Sequence, residues 1–131
     1  MAITFNETTK DLLDGKNFAT VATLNADGSP QTSVMWVARD GDTVLFSTTT
    51  ARLKARNMAR DPRVSISIFA TENPYRTVEI RGTADLTEDS GRTVQRAVSH
   101  KYLGQDPPAE PAEVVRVVVR VTPERIVEFS A

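Results

Sequence analysis

The 131-residue sequence contains no cysteine, which excludes a disulfide framework, a thiolate metal site and a cysteine nucleophile. It has one histidine, His100, with no second histidine to share a metal and no Gly-x-Ser-x-Gly elbow to serve as a triad. His100 falls near the end of a predicted helix, where the helix dipole favours a cation without any further partner. The six glycines are scattered over turns, so neither a Gly-x-Gly-x-x-Gly fingerprint nor a Walker loop is present. Carboxylates are dispersed, and no acid–base pair can be singled out as catalytic. Charge of one sign is also missing: 16 basic residues face 17 acidic ones, and a net charge of −1 sets up no field to gather nucleic acid or anionic lipid. No apolar run approaches membrane length and the first residues carry no basic, apolar leader pattern, so a cytoplasmic protein is expected.

With 40% hydrophobic and 25% charged residues, the composition is that of one globular domain spanning 1–131. Asn6 can cap a short helix anchored by Leu12 and Leu13 and ending near Gly15. Phe18 to Leu24 alternates as a strand, Asn25-Ala26-Asp27-Gly28 turns, and a second strand runs from about Pro30 to Arg39. Asp40-Gly41 turns again into a strand at Thr43 to Ser47, giving three strands in meander order. Ala51 to Arg60 switches to helical spacing with an apolar stripe of Ala51, Ala55, Met58 and Ala59, stopped by Asp61-Pro62. Strands follow at Val64 to Ile68 and Val78 to Leu86, the latter with small residues where a barrel can bend. Thr87 is the candidate cap of a helix reaching Tyr102 and ended by Gly104. After a proline-containing loop come strands at Val114 to Val121 and Arg125 to Phe129, separated by Thr122-Pro123. Six to seven mainly antiparallel strands with three short helices make an α+β fold, and so many antiparallel strands in so short a chain predict a small barrel.

One charge concentration stands out. Residues 52–63 hold five basic residues and a single acid. Arg52, Arg56 and Arg60 share one helical face at four-residue spacing, and Ser47-Thr48-Thr49-Thr50 lies just upstream. Helix N-terminal amides, flanking hydroxyls and a first-turn arginine together suit a phosphate, although a solvated basic face after a hydroxyl cap reads the same way. Aromatic residues are few and none interleaves with this cluster, which argues against nucleic acid. Trp36, a core residue on the simplest reading, sits in Ser33-Val34-Met35-Trp36. A meander would set this segment beside the third strand and the anion site.

These residues resemble a known family. Phe18-Ala19-Thr20-Val21-Ala22-Thr23-Leu24, Asp27-Gly28-Ser29-Pro30-Gln31, Ser47-Thr48-Thr49, Glu79-Ile80-Arg81-Gly82-Thr83-Ala84 and above all Arg52-x-Lys54-x-Arg56-Asn57-Met58-x-Arg60-Asp61-Pro62-Arg63-Val64 are similar to the pyridoxamine phosphate oxidase-like split β-barrels. Among these, the chain is most similar to the short deazaflavin-dependent oxidoreductases of actinobacteria that use coenzyme F420. The resemblance implies a homodimer with cofactor grooves between protomers, a small-molecule substrate, and hydride transfer carried by the cofactor. It also implies phosphate ligands Arg52 and Lys54 and contacts from Ser47, Thr48 and Thr49. The backbone of Ser33, Val34, Met35 and Trp36 would then lie along the ring, with Tyr75 and Arg76 approaching from the partner. The same Arg and Lys would hold FMN, and a non-catalytic carrier keeps the same phosphate site. The longer oxidases' C-terminal substrate motif is not in this sequence.

Overall fold

At the start of the fold, the Asn6 side chain accepts the Thr9 amide at 2.9 Å and caps α1 (Glu7–Asp14), as the sequence predicts. Leu12 and Leu13 on this helix are fully buried. The structure, a computed structural model, describes residues 3–130. No helix among them is long and apolar enough to cross a membrane.

The seven strands are β1 (Phe18–Leu24), β2 (Pro30–Trp36), β3 (Ala38–Asp40), β4 (Thr43–Thr49), β5 (Arg63–Ala70), β6 (Asn73–Glu88) and β7 (Arg116–Phe129). They form one sheet in the order β2-β1-β5-β6-β7-β4-β3, with every neighbouring pair antiparallel. The two edges, β2 and β3, are consecutive in the chain and separated by Val37 alone. The sheet therefore curls until its edges meet, and the barrel is split at that residue. This corrects the single strand expected from Pro30 to Arg39. Alternation of side chains continues through the segment, but Val37 is fully buried and its amide leaves the ladder for the Tyr102 hydroxyl at 3.1 Å. The expected meander holds for β1–β2 and for the β3–β4 hairpin, whereas β2 and β4 face each other across the split without pairing.

Inward-facing residues fill the barrel, among them Val21, Phe46, Ile66, Ile68, Ile80 and Val119, each fully buried. Each such side chain contributes about 1.5–3 kcal/mol. Leu12 and Leu13 from α1 and Met58 from α2 (Leu53–Arg60) join the same cluster.

The long β6–β7 ribbon bends at a bulge, where Gly82 pairs with Pro123 and Arg81 with Arg125, leaving Glu124 unpaired. A Cβ on residue 82 would stand 2.1 Å from the Thr122 carbonyl oxygen, so only glycine allows this approach. Thr122-Pro123 therefore does not divide two strands as the sequence suggested. The proline sits at the bulge, where its missing donor costs no ladder bond.

Two helix expectations also change. On α2 Ala55 and Met58 of the expected stripe are buried, but Ala51 and Ala59 are exposed and Lys54 and Asn57 are buried in their place; Asn57 turns inward because its amide donates to Thr23 Oγ1 at 3.0 Å and Asn25 Oδ1 at 2.9 Å. α3 (Thr93–Leu103) is capped not by Thr87 but by Asp89, whose carboxylate accepts the Val94 and Gln95 amides at 3.1 and 2.9 Å. Gly104 ends it at positive φ, as expected.

Candidate functional site

Strand alternation decides what β4 offers to a ligand. Val44, Phe46 and Thr48 are buried, whereas Ser47 and Thr49 belong to the opposite, half-exposed face. Of the three hydroxyl residues predicted to contact a ligand, Thr48 is therefore turned into the barrel, 3% exposed. Ser47 shares a cleft of about 450 Å³ with Val34, Met35 and Trp36 of β2. These four predicted residues meet across the split, although β2 and β4 are not bonded to each other. Ser33, on the same strand, does not line the cleft, and its buried hydroxyl has no hydrogen-bond partner.

Trp36 is held in place rather than packed in the core. Its indole stacks on Tyr102 of α3 with ring centroids 5.1 Å apart and planes 9° from parallel. Tyr102 donates to the Asn17 carbonyl at 2.5 Å, which fixes the ring and with it one wall of the cleft. Beside it Lys101 donates to the Leu13 and Val37 carbonyls at 2.5 and 2.6 Å; burial pushes its pKa down to about 8, against an opposing pull from Asp14.

The opposite wall belongs to α3 and the segment after it, neither of which the sequence reading singled out. Val98, Pro107 and Pro108 give it an apolar lining, Gln95 and Glu110 supply its polar groups, and Arg116 of β7 joins them from the strand beside β4. Glu110 ties them together. Both its oxygens accept from Arg116, through Nε and Nη2 at 2.9 Å each, and Oε1 also accepts from Gln95 Nε2 at 3.0 Å and from Arg92. The Arg116 hydrogen bonds in particular hold the Glu110 carboxyl down at about 2, so it is an anion and an acceptor only. Arg92 reaches this node from a left-handed backbone conformation, φ 55°. Ser99 Oγ donates to the Gln105 carbonyl at 2.6 Å, and His100 Nε2 lies 2.7 Å from Asp106 Oδ1. The histidine thus anchors the segment on the surface. No group of three or more metal-ligating side chains exists among the described residues.

β4 leads directly into the basic helix. Arg52 is the N-cap of α2, without a side-chain capping bond, and no acidic residue occupies the first turn. Lys54 is 9% exposed, and its pKa is lowered by desolvation and then by the Arg52 charge. Neither cation is ion-paired to a carboxylate among the described residues. A buried ammonium beside a guanidinium at a helix N-terminus lacks an anion, which is the donor set a phosphate fits. Arg52 and Lys54 stand outside the cleft itself, as do Thr49 and Tyr75. Tyr75 is 66% exposed on β6.

The sequence matches the pyridoxamine 5'-phosphate oxidase family over residues 5–129. A pyridoxine/pyridoxamine 5'-phosphate oxidase of Kineococcus radiotolerans is 36% identical over 91 residues, covering 70% of this chain and 37% of that protein. The match thus spans little more than a third of that relative's length. Among solved structures, an F420 reductase superposes with a TM-score of 0.81 at 33% identity, covering 90% of this chain and 94% of its own. A conserved hypothetical protein of Mycobacterium tuberculosis gives 0.79 at 25% identity, covering 98% and 86%. The curled seven-stranded sheet is the fold of these proteins, and with a match that begins at Phe5 and ends at Phe129 the chain belongs to the pyridoxamine 5'-phosphate oxidase family.

Proposed function

We propose that this protein is a reductase that binds coenzyme F420 and passes a hydride from its reduced deazaflavin to a small organic acceptor. The observation that carries this reading is the unpaired cationic couple Arg52–Lys54 at the start of α2, reached directly from the cleft along β4. The F420 reductase that superposes at 33% identity supports the choice of cofactor. FMN is the second reading, because the same couple suits its phosphate and the family match is to the phosphate oxidases.

In this reading Lys54 and Arg52 hold the cofactor's phosphate by charge-assisted hydrogen bonds. Ser47 and Thr49 present hydroxyls on the face that leads from that anchor to the cleft. The backbone of Ser33 to Trp36 supports the ring system, and the clamped Trp36–Tyr102 pair keeps that support rigid. Val34, Val98 and the two prolines exclude water from the reacting pair, which protects a hydride donor from competing reactions. A bound reduced deazaflavin supplies the two-electron chemistry, so the chain's own contribution is binding, orientation and exclusion of water.

The working unit is a homodimer. Cross-strand register places Val34 beside Thr20 and Phe18 beside Trp36 at the β2–β1 edge of the sheet, with Phe129 beside Thr77 and Val127 beside Glu79 on the central β6–β7 ribbon. Val34 is 67% exposed, and Phe18, Tyr75, Val127 and Phe129 are exposed with it. An outer face this apolar suits coverage by a second copy, whose Tyr75 and Arg76 then approach the groove.

Turnover tests the proposal. Reduced F420 incubated with the protein and a panel of enones, quinones and tetrapyrroles is reoxidised faster than in protein-free controls. Tight binding without turnover across the panel supports a carrier instead. A monomeric mass by light scattering at micromolar concentration contradicts the shared groove.

A further inference from the structure

The far wall of the cleft holds an acceptor that the protein leaves unused. Gln95 is 7% exposed and lines the cleft, and its Oε1 is buried with no hydrogen-bond partner. The orientation of this amide is not free. Its other end meets Glu110 Oε1 at 3.0 Å, and the Glu110 carboxylate, held by Arg116 through both oxygens, can only accept. The NH₂ group must therefore face Glu110, and the oxygen is the end left over. A buried acceptor without a donor is unfavourable, and a ligand that supplies the donor recovers the loss.

A spare donor sits on the same node. Arg116 spends Nε and Nη2 on Glu110, and Nη1 has only a long 3.4 Å contact to Ser47 Oγ on the neighbouring strand β4. Gln95 and Arg116 converge on one carboxylate oxygen, and both residues line the same cleft with Ser47. The surrounding lining of Val34, Trp36, Val98 and Pro107 is apolar.

We propose that Gln95 Oε1 and Arg116 Nη1 form a subsite for the edge of a cyclic amide or imide. The ligand's N–H donates to Gln95, and the carbonyl beside it accepts from Arg116 and Ser47. Engaging the buried oxygen takes a pivot of the amide about its Glu110 bond. The subsite deepens the proposed function and rests on it only in taking the cleft as the redox site. Two sources carry this edge: the pyrimidinedione ring of a deazaflavin or flavin, and a lactam or imide acceptor.

The test needs no cofactor in its first arm. Succinimide and N-methylsuccinimide, which differ only in the N–H, are titrated into ¹⁵N-labelled protein while the indole N–H of Trp36 is followed; with one tryptophan in the chain this signal needs no deconvolution. Succinimide shifts it saturably and binds at least about fivefold more tightly than its N-methyl analogue. Gln95→Lys keeps a donor for Glu110 while removing the acceptor, and it abolishes the preference. Equal affinities for the two probes in the unaltered protein, or a preserved preference in well-dispersed Gln95→Lys, overturn the subsite. In the second arm, saturating F420 either displaces succinimide, which gives the edge to the cofactor ring, or leaves its binding intact, which gives it to the acceptor. Because the first arm uses protein alone, failure of F420 to bind leaves the subsite standing, and failure of the imide preference leaves the F420 reading standing.

Discussion

Tyr102 receives the backbone amide of Val37 at the split of the barrel. The tyrosine hydroxyl accepts the Val37 amide at 3.1 Å and lies 3.3 Å from the Val37 carbonyl, while donating to the Asn17 carbonyl at 2.5 Å. One side chain thus satisfies the backbone where the ladder is interrupted, and its ring supports Trp36. Tyr102→Phe keeps the stack and removes the bonds. Loss of about 1–2 kcal/mol of stability is expected, with the buried Val37 amide left unsatisfied; urea unfolding followed by Trp36 fluorescence measures it.

Gly82→Ala is expected to be far more damaging than Gly41→Ala. At position 82 a Cβ meets the Thr122 carbonyl oxygen at 2.1 Å, backbone against backbone, at the bend that closes the sheet. Moving a strand out of register costs about 3 kcal/mol or more. At position 41 nothing lies within 4 Å and only the positive φ is strained, at about 1–2 kcal/mol. Comparative denaturation of the two variants checks the ranking.

Much of this was legible in the sequence, because local chemistry specified it. Asn6 is an oxygen placed before a helical run, and Val64 to Ile68 alternates without interruption. The break at Val37 was hidden, since a valine continues the strand pattern and the partner that draws its amide away, Tyr102, is 65 residues distant. Thr122-Pro123 misled for the opposite reason: it is a strong local stop signal, overridden by a glycine on the neighbouring strand. Arg52 and Lys54 were visible as a charge cluster, but the burial of Lys54 was not. Gln95, Glu110 and Arg116 carry no motif, and only the packing of α3 against β4 and β7 brings them together.

Lys101 gives folding a measurable pH dependence. Its pKa is about 8 in the folded protein against an ordinary 10.5, chiefly through desolvation, with Asp14 opposing the shift. Between these values the unfolded chain binds more protons than the folded one, so stability rises with pH from about 8 towards 10.5. Unfolding measured across this range in parallel with Lys101→Met isolates the contribution, and the variant's profile is flatter.

Lys54 makes anion binding pH-dependent with the opposite sign. Desolvation and the neighbouring Arg52 lower its pKa below 10.5, and only the protonated amine attracts a phosphate. Affinity for F420 therefore falls as pH rises through the lowered value, and at alkaline pH binding takes up a proton. Lys54→Arg, which stays charged, is expected to bind with a flatter pH profile. Titrations between neutral pH and about 10, against ordinary lysine titration near 10.4, check this.

The central claim is that Arg52 and Lys54 anchor a phosphate-bearing redox cofactor beside the Trp36 cleft. Its most direct test is a side-by-side fluorescence titration of F420 and FMN against the unaltered protein and the Arg52→Ala, Lys54→Ala double variant. Saturable F420 binding that exceeds FMN binding is predicted, and each removed charge-assisted contact weakens it by about 1–3 kcal/mol, so the double variant loses at least tenfold. Equal affinity of the variant and the unaltered protein, or saturation by neither cofactor, contradicts the account.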